Sequence, residues 1–170
     1  DAIVLTHAHA DHIAGIPEVL EHHAALPIYL ADEEASWLDD AAANLSASMG
    51  MAVTAGGADR RSLSAGDTLT LGSTTWRVFD TSGHSPGGRS LYCEAADTVI
   101  VGDALFADGI GRYDFDHSDG PRLFRNIRDR LLTLPDRTVM YSGHGPKSTI
   151  GRVRRTNPFV AEILAAADAT

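Results

Sequence analysis

The sequence predicts one layered α/β domain, and three observations lead there. At 170 residues with 44% hydrophobic side chains, the chain can build one sizeable core and is too short for two ordinary domains. Apolar runs of strand length, at residues 3–5, 28–30 and 98–101, alternate with stretches whose apolar residues recur at helical spacing. Polar residues able to hold cations stand where strands end, beside glycines that let the backbone turn sharply.

Each element has a local reason. Ile3-Val4-Leu5 reads as a buried strand. Ile13, Ile16, Val19 and Leu20 then recur at helical spacing with Pro17 in the first turns, so a helix is expected over residues 13–23. His22 and His23 at its end read as a solvated terminus. Pro27 introduces a strand at 28–30, and Asp32 is the expected N-cap of a helix running through Trp37 and Leu38 towards Asn44. Residues 46–58, small and Gly-rich, read as loop, with Met49 and Met51 as lid or core packing. Residues 68–71 and 74–79 alternate with period two around Gly72-Ser73, which is a β-hairpin. Strands are expected at 89–93 and 98–101, and the loop 106–120 is expected to be braced by an Arg112–Asp114 ion pair. Pro121 opens a helix with Leu123, Phe124, Ile127, Leu131 and Leu132 on one face. A strand at 138–141 precedes a helical tail over 150–167 broken at Asn157-Pro158. The Arg152-Arg154-Arg155 cluster on that tail reads as a solvated helix face.

Composition removes several function classes. The formal net charge of −9 repels phosphate backbones, so no nucleic-acid partner is expected. One cysteine, Cys93, leaves no intrachain disulfide and no cysteine zinc cluster, which is compatible with a reducing cytoplasm. No apolar run approaches the roughly 20 residues of a membrane span, so no membrane partner is expected.

The chemistry concentrates in Thr6-His7-Ala8-His9-Ala10-Asp11-His12. On an extended segment alternate side chains point the same way, so His7 and His9 converge on one point. Asp11 and His12 come as the chain turns into a helix and aim at a second point nearby. Three later residues share one local design: His84, Asp103 and His144 each follow a strand and have glycine close by. Imidazole and carboxylate are ligands for Zn²⁺ and Fe²⁺, so all seven are candidate metal ligands.

These stretches carry a resemblance. His-Ala-His-Ala-Asp-His at 7–12, Gly-His-Ser-Pro-Gly at 83–87, Gly-Asp-Ala-Leu-Phe at 102–106 and Gly-His-Gly-Pro at 143–146 resemble the metallo-β-lactamase superfamily. Gly-Arg-Tyr-Asp-Phe at 111–115 and Asn157-Pro158-Phe159 resemble its glyoxalase II-like hydrolases. The resemblance implies a four-layer αβ/βα sandwich over residues 1–170, N-terminally incomplete because the first-sheet strands that usually precede the opening motif are missing. It also implies two divalent metal ions, zinc first, with iron or manganese also fitting. One ion would be held by His7, His9 and His84 and the other by Asp11, His12 and His144, with Asp103 shared. The expected chemistry is hydrolysis of a small-molecule acyl thioester of the hydroxyacyl-glutathione type by a bridging hydroxide, with Asp11 orienting the nucleophile.

Two alternatives stay open. One is a mononuclear-iron oxidoreductase resembling the persulfide dioxygenases of the same superfamily, which use positions matching His7, His84 and Asp103. The other is a non-catalytic fragment that keeps the ligands without a closed pocket. A β-lactamase proper is disfavoured, since antibiotic-degrading members with this opening motif lack an aspartate matching Asp103.

Overall fold

A computed structural model describes residues 1–23, 26–55 and 59–168. The chain divides into two compact units, Asp1–Ser64 and Ala65–Thr170. Each has its own sheet and its own apolar core.

In the first unit, β1 (Ile3–Val4), β2 (Ile28–Leu30) and β3 (Arg60–Ser62) form a parallel sheet in that order. The helix expected over residues 13–23 is two short ones, α1 (Ala10–Ile13) and α2 (Ile16–His22). They part at Ala14-Gly15, and Pro17 lies in the first turn of α2, where a missing N–H costs nothing. The helix after β2 is a 3₁₀ helix, Asp32–Leu38, and Ala31 rather than Asp32 holds its N-cap position. Asp32 instead accepts the Ser62 hydroxyl at 3.0 Å, tying the helix start to β3. Leu5, Ile13, Ile16, Ile28, Leu30, Trp37 and Leu38 form the core under this sheet. Met49 and Met51 are exposed, so core packing is not their role.

In the second unit, β4 (Thr68–Leu71), β5 (Thr74–Asp80), β6 (Arg89–Cys93), β7 (Thr98–Gly102), β8 (Val139–Ser142) and β9 (Ser148–Thr149) form a mixed sheet in sequence order. Neighbours are antiparallel except β7 and β8, which run parallel. A parallel pair needs a crossover, and α3 (Gly120–Asn126), extended by a π turn at Ile127–Leu131, lies in the connection. Leu123, Ile127 and Leu131 on its inner face are fully buried, worth roughly 2 kcal/mol each.

The tail breaks as expected into α4 (Ile150–Thr156) and α5 (Pro158–Asp168). Asn157 makes the joint, because its Oδ1 accepts the N–H groups of Phe159 and Val160 while its Nδ2 donates to the carbonyls of Phe106 and Gly109. The tail arginines are ion-paired rather than merely solvated: Arg152 meets Asp108, and Arg154 meets Asp136. Among the described residues, no helix is long and apolar enough to cross a membrane.

Candidate metal centre

The first unit carries four of the seven sequence-predicted ligands on one short stretch. β1 ends at Val4, and its ladder is continued by Leu5 N–H donating to the Tyr29 carbonyl. The chain bends at Thr6, and His9, the N-cap of α1, is extended, with His7 two positions before it. Their ring centroids are 4.8 Å apart and nearly perpendicular. His12, in the single turn of α1, brings its ring to 4.0 Å from that of His7. Asp11 stands exposed beside it, with Oδ2 3.6 Å from His12 Nε2. The structure thus places His7, His9, Asp11 and His12 near one another within this unit, with His12 against His7.

The second unit carries the other three, each just past a strand. Asp103 follows β7, where Gly102 takes a left-handed φ of 52°. His144 follows β8, and His84 lies in the turn after β5. The Asp103 Oδ2 atom is 3.8 Å from His84 Nε2 and 3.3 Å from His144 Nε2. Two ligands at tetrahedral angles on zinc, each about 2.1 Å from the ion, stand about 3.4 Å apart. These separations have the scale of ligands to common cations.

The His84 tautomer follows from its neighbour. Nδ1 is 2.7 Å from the Arg112 carbonyl oxygen, which can only accept, so Nδ1 carries the proton. In the neutral ring the Nε2 lone pair is then turned towards the Asp103 carboxylate. Two electron-pair donors held face to face are what a cation between them resolves, and a backbone carbonyl on the far nitrogen is the usual support of a metal-binding imidazole. The donor set therefore fits a divalent cation.

Sequence reasoning missed the residues that hold these ligands. His84 sits in a turn that α3 grips: Asp119 N–H donates to the Gly83 carbonyl at 2.8 Å, and Asn126 Nδ2 donates to the Ser82 carbonyl at 2.9 Å. Gly83, at φ 130°, lies so close to α3 that a Cβ there would be 2.3 Å from Leu123 N. Asp80 accepts from the Ser82 hydroxyl and N–H and from Arg122 Nη2. Burial alone pushes the Asp80 carboxyl up, but those Ser82 and Arg122 bonds outweigh it and hold it below the usual carboxylate range. Gly111 presses on two ligands at once, since a Cβ there would be 1.9 Å from the Asp103 carbonyl oxygen and 3.0 Å from His84 Cβ. The expected Arg112–Asp114 pair is present at 2.9 Å, and its hydrogen bond keeps the Asp114 carboxyl below its ordinary value. In the first unit, His9 stacks on Trp37, with centroids 5.7 Å apart. One signal was available there: Glu34 falls three and four residues before Trp37 and Leu38, on the face they bury.

Strand-end imidazoles and carboxylates, with His84 braced from behind by the Arg112 carbonyl, are a donor set that fits a cation on an α/β frame. Comparison with known proteins then narrows the class. Residues 1–144 match the model of the metallo-beta-lactamase superfamily, and the chain belongs to that family. It is 43% identical over 160 residues to a probable metallo-hydrolase, YqgX, of Bacillus subtilis (strain 168), covering 94% of this chain and 75% of that one. It is 32% identical to hydroxyacylglutathione hydrolase GloC of Haemophilus influenzae, covering 93% and 74%. The crystal structure of BLEG-1 B3 metallo-beta-lactamase superposes with a TM-score of 0.88 at 41% identity, covering 94% of this chain and 76% of that one. That of TTHA1623 in a di-iron-bound form gives 0.82 at 36% identity, covering 93% and 76%. The expected family and fold class are thereby met, and the chain is a metallo-hydrolase of this superfamily.

Proposed function

We propose that His7, His9, Asp11, His12, His84, Asp103 and His144 act together as one binuclear centre that hydrolyses acyl thioesters of the hydroxyacyl-glutathione type. The observation that carries this reading is one oxygen, Asp103 Oδ2, facing the Nε2 atoms of both His84 and His144. A carboxylate shared by two imidazoles is suited to standing between two cations. His7, His9 and His84 would hold one ion, and Asp11, His12 and His144 the other. Zinc suits this nitrogen–oxygen set, although the relative TTHA1623 is known in a di-iron form. Divalent ions held by these residues would supply a water of lowered pKa and a Lewis acid for a substrate carbonyl.

The protein's own groups do the rest. Asp11, exposed beside His12, accepts a hydrogen bond from the attacking water and orients it. The Arg112 carbonyl keeps His84 in one tautomer. The thioester preference is supported by the likeness to GloC. The net charge of −9 favours a small-molecule substrate over nucleic acid. The cytoplasm is the compartment proposed, where buried Cys93 stays reduced.

The test is a metal count by mass spectrometry on protein purified without chelators, with an assay against a 2-hydroxyacyl thioester of glutathione. Two ions per chain are expected, with thioester hydrolysis that falls at least 100-fold in Asp103→Ala. Equal rates in the two proteins, or one iron per chain with oxygen uptake, overturn the assignment. The likeness to BLEG-1 favours a second reading, β-lactam hydrolysis, which a chromogenic cephalosporin tests in the same assay.

A further inference from the structure

We propose that Glu34 is a positioning residue of the metal centre, its buried carboxylate taking the Ala8 N–H and so setting how His7 and His9 present their rings. The inference rests on the binuclear reading above. Glu34 is fully buried, whereas its neighbours Asp32 and Glu33 in the same 3₁₀ helix are exposed. Carboxylates are rarely buried without a specific partner. Here Ala8 N donates to Glu34 Oε2 at 2.6 Å, a short hydrogen bond. Ala8 lies between His7 and His9, so this bond fixes the peptide plane that joins it to His7. One turn further on, Trp37 stacks on the His9 ring. Ala10 N–H is taken in turn by the Asn44 carbonyl at 2.9 Å, and Asn44 Nδ2 binds the carbonyls of Trp37 and Val53. One short helix and the turn behind it thus hold the ligand segment at alternate backbone donors, as supports behind metal ligands generally do.

The experiment titrates Co²⁺ into the metal-free chain and into its Glu34→Ala and Glu34→Gln variants. It reads the dissociation constant, the visible d–d spectrum and the melting temperature of each metal-free protein. Glu34→Ala is expected to bind Co²⁺ 10–100-fold more weakly with a displaced d–d spectrum. Glu34→Gln keeps an oxygen for the Ala8 N–H and should restore the spectrum and bring affinity to within about threefold of the unchanged chain, on the same outer-shell argument. The proposal is overturned if folded Glu34→Ala matches the unchanged chain in both affinity and spectrum, or if Glu34→Gln fails as Glu34→Ala does. Should Glu34→Ala not fold, Glu34→Asp withdraws the carboxylate by one methylene: weakened Co²⁺ binding supports the proposal and unchanged binding sinks it. Failure of the unchanged chain to bind Co²⁺ removes the metal centre itself, a result distinct from equal binding by all variants.

Discussion

Adding one methyl group at Gly111 tests how tightly the second unit's ligands are set. The backbone there does not take a left-handed φ, so the effect of alanine is steric alone. Its Cβ would lie 1.9 Å from the Asp103 carbonyl oxygen and 3.0 Å from both Cβ and Cγ of His84. Reaching an ordinary contact near 3.4 Å demands a displacement of roughly 1.5 Å. No flexible side-chain end can absorb it, because the obstructing atoms are backbone or the root of a ligand side chain. If residues 110–112 retreat, the 2.7 Å bond from His84 Nδ1 to the Arg112 carbonyl breaks and the ring loses its fixed tautomer. If Asp103 retreats, its shared oxygen leaves His84 and His144. Overpacking of this kind costs about 1–3 kcal/mol, or roughly 2–12 °C in melting temperature at this chain length. A misplacement beyond 1 Å costs on the order of 100-fold in rate. We therefore expect Gly111→Ala to lose at least 100-fold in kcat/KM for the thioester and to hold metal 10–100-fold more weakly. Gly109→Ala is the control, since its Cβ meets nothing nearer than Phe106 Cδ2 at 3.9 Å. Gly111→Ala with unchanged metal content and a rate within twofold of the unchanged chain would refute the steric argument.

Two further outcomes follow from the same geometry. Asp80→Asn should destabilise by about 1–2 kcal/mol at neutral pH, because charge-assisted bonds to Ser82 and Arg122 are lost at a half-buried site. The Asp80 carboxyl titrates lower in the folded chain than in the unfolded one, so its contribution is full above about pH 4 and disappears as pH falls through the folded value. Denaturant melts from pH 7 to pH 3 should show the two proteins converging on the acid side, and a constant gap would contradict the role given to Asp80. Chelation should lower the melting temperature, and Zn²⁺ at 100 times its dissociation constant should restore about 2.7 kcal/mol, or roughly 5–11 °C. Identical melts with and without Zn²⁺ would argue against any preformed cation site.

What could be read from the sequence, and what could not, divides along one physical line. Features dictated by neighbours in the chain were legible. The hairpin of β4 and β5 follows from period-two alternation around Gly72-Ser73, with Gly72 at a left-handed φ of 59°. The seven candidate ligands are marked by residue type and by glycines after strands, and within each unit the structure places that unit's candidates close to one another. Features dictated by a distant partner were not legible. β3 is Arg-Arg-Ser, with no apolar alternation, and is a strand only because β2 offers it a parallel ladder. β9 is two residues long and exists through its pairing with β8. Asp32 looks like a helix cap until Ser62, thirty residues on, takes its carboxylate.

The same division explains the supports of the metal centre. In sequence, Glu34 stands in an acidic run with Asp32 and Glu33, and in the structure it alone of the three is buried. Its spacing from Trp37 and Leu38 places Glu34 on a buried face, but the Ala8 N–H it meets lies 26 positions away. Asp80 likewise falls just past the strand expected at 74–79, and the Arg122 that closes on it is 42 positions away. A metal ligand is marked by its own chemistry, because few side chains can bind a cation. A residue that orients a ligand can be any hydrogen-bonding group, and what selects it is a backbone donor or acceptor brought near by the fold. The groups proposed to set this centre's geometry are therefore harder to find from composition than the candidate ligands, and they are where substitutions should separate correct folding from metal binding.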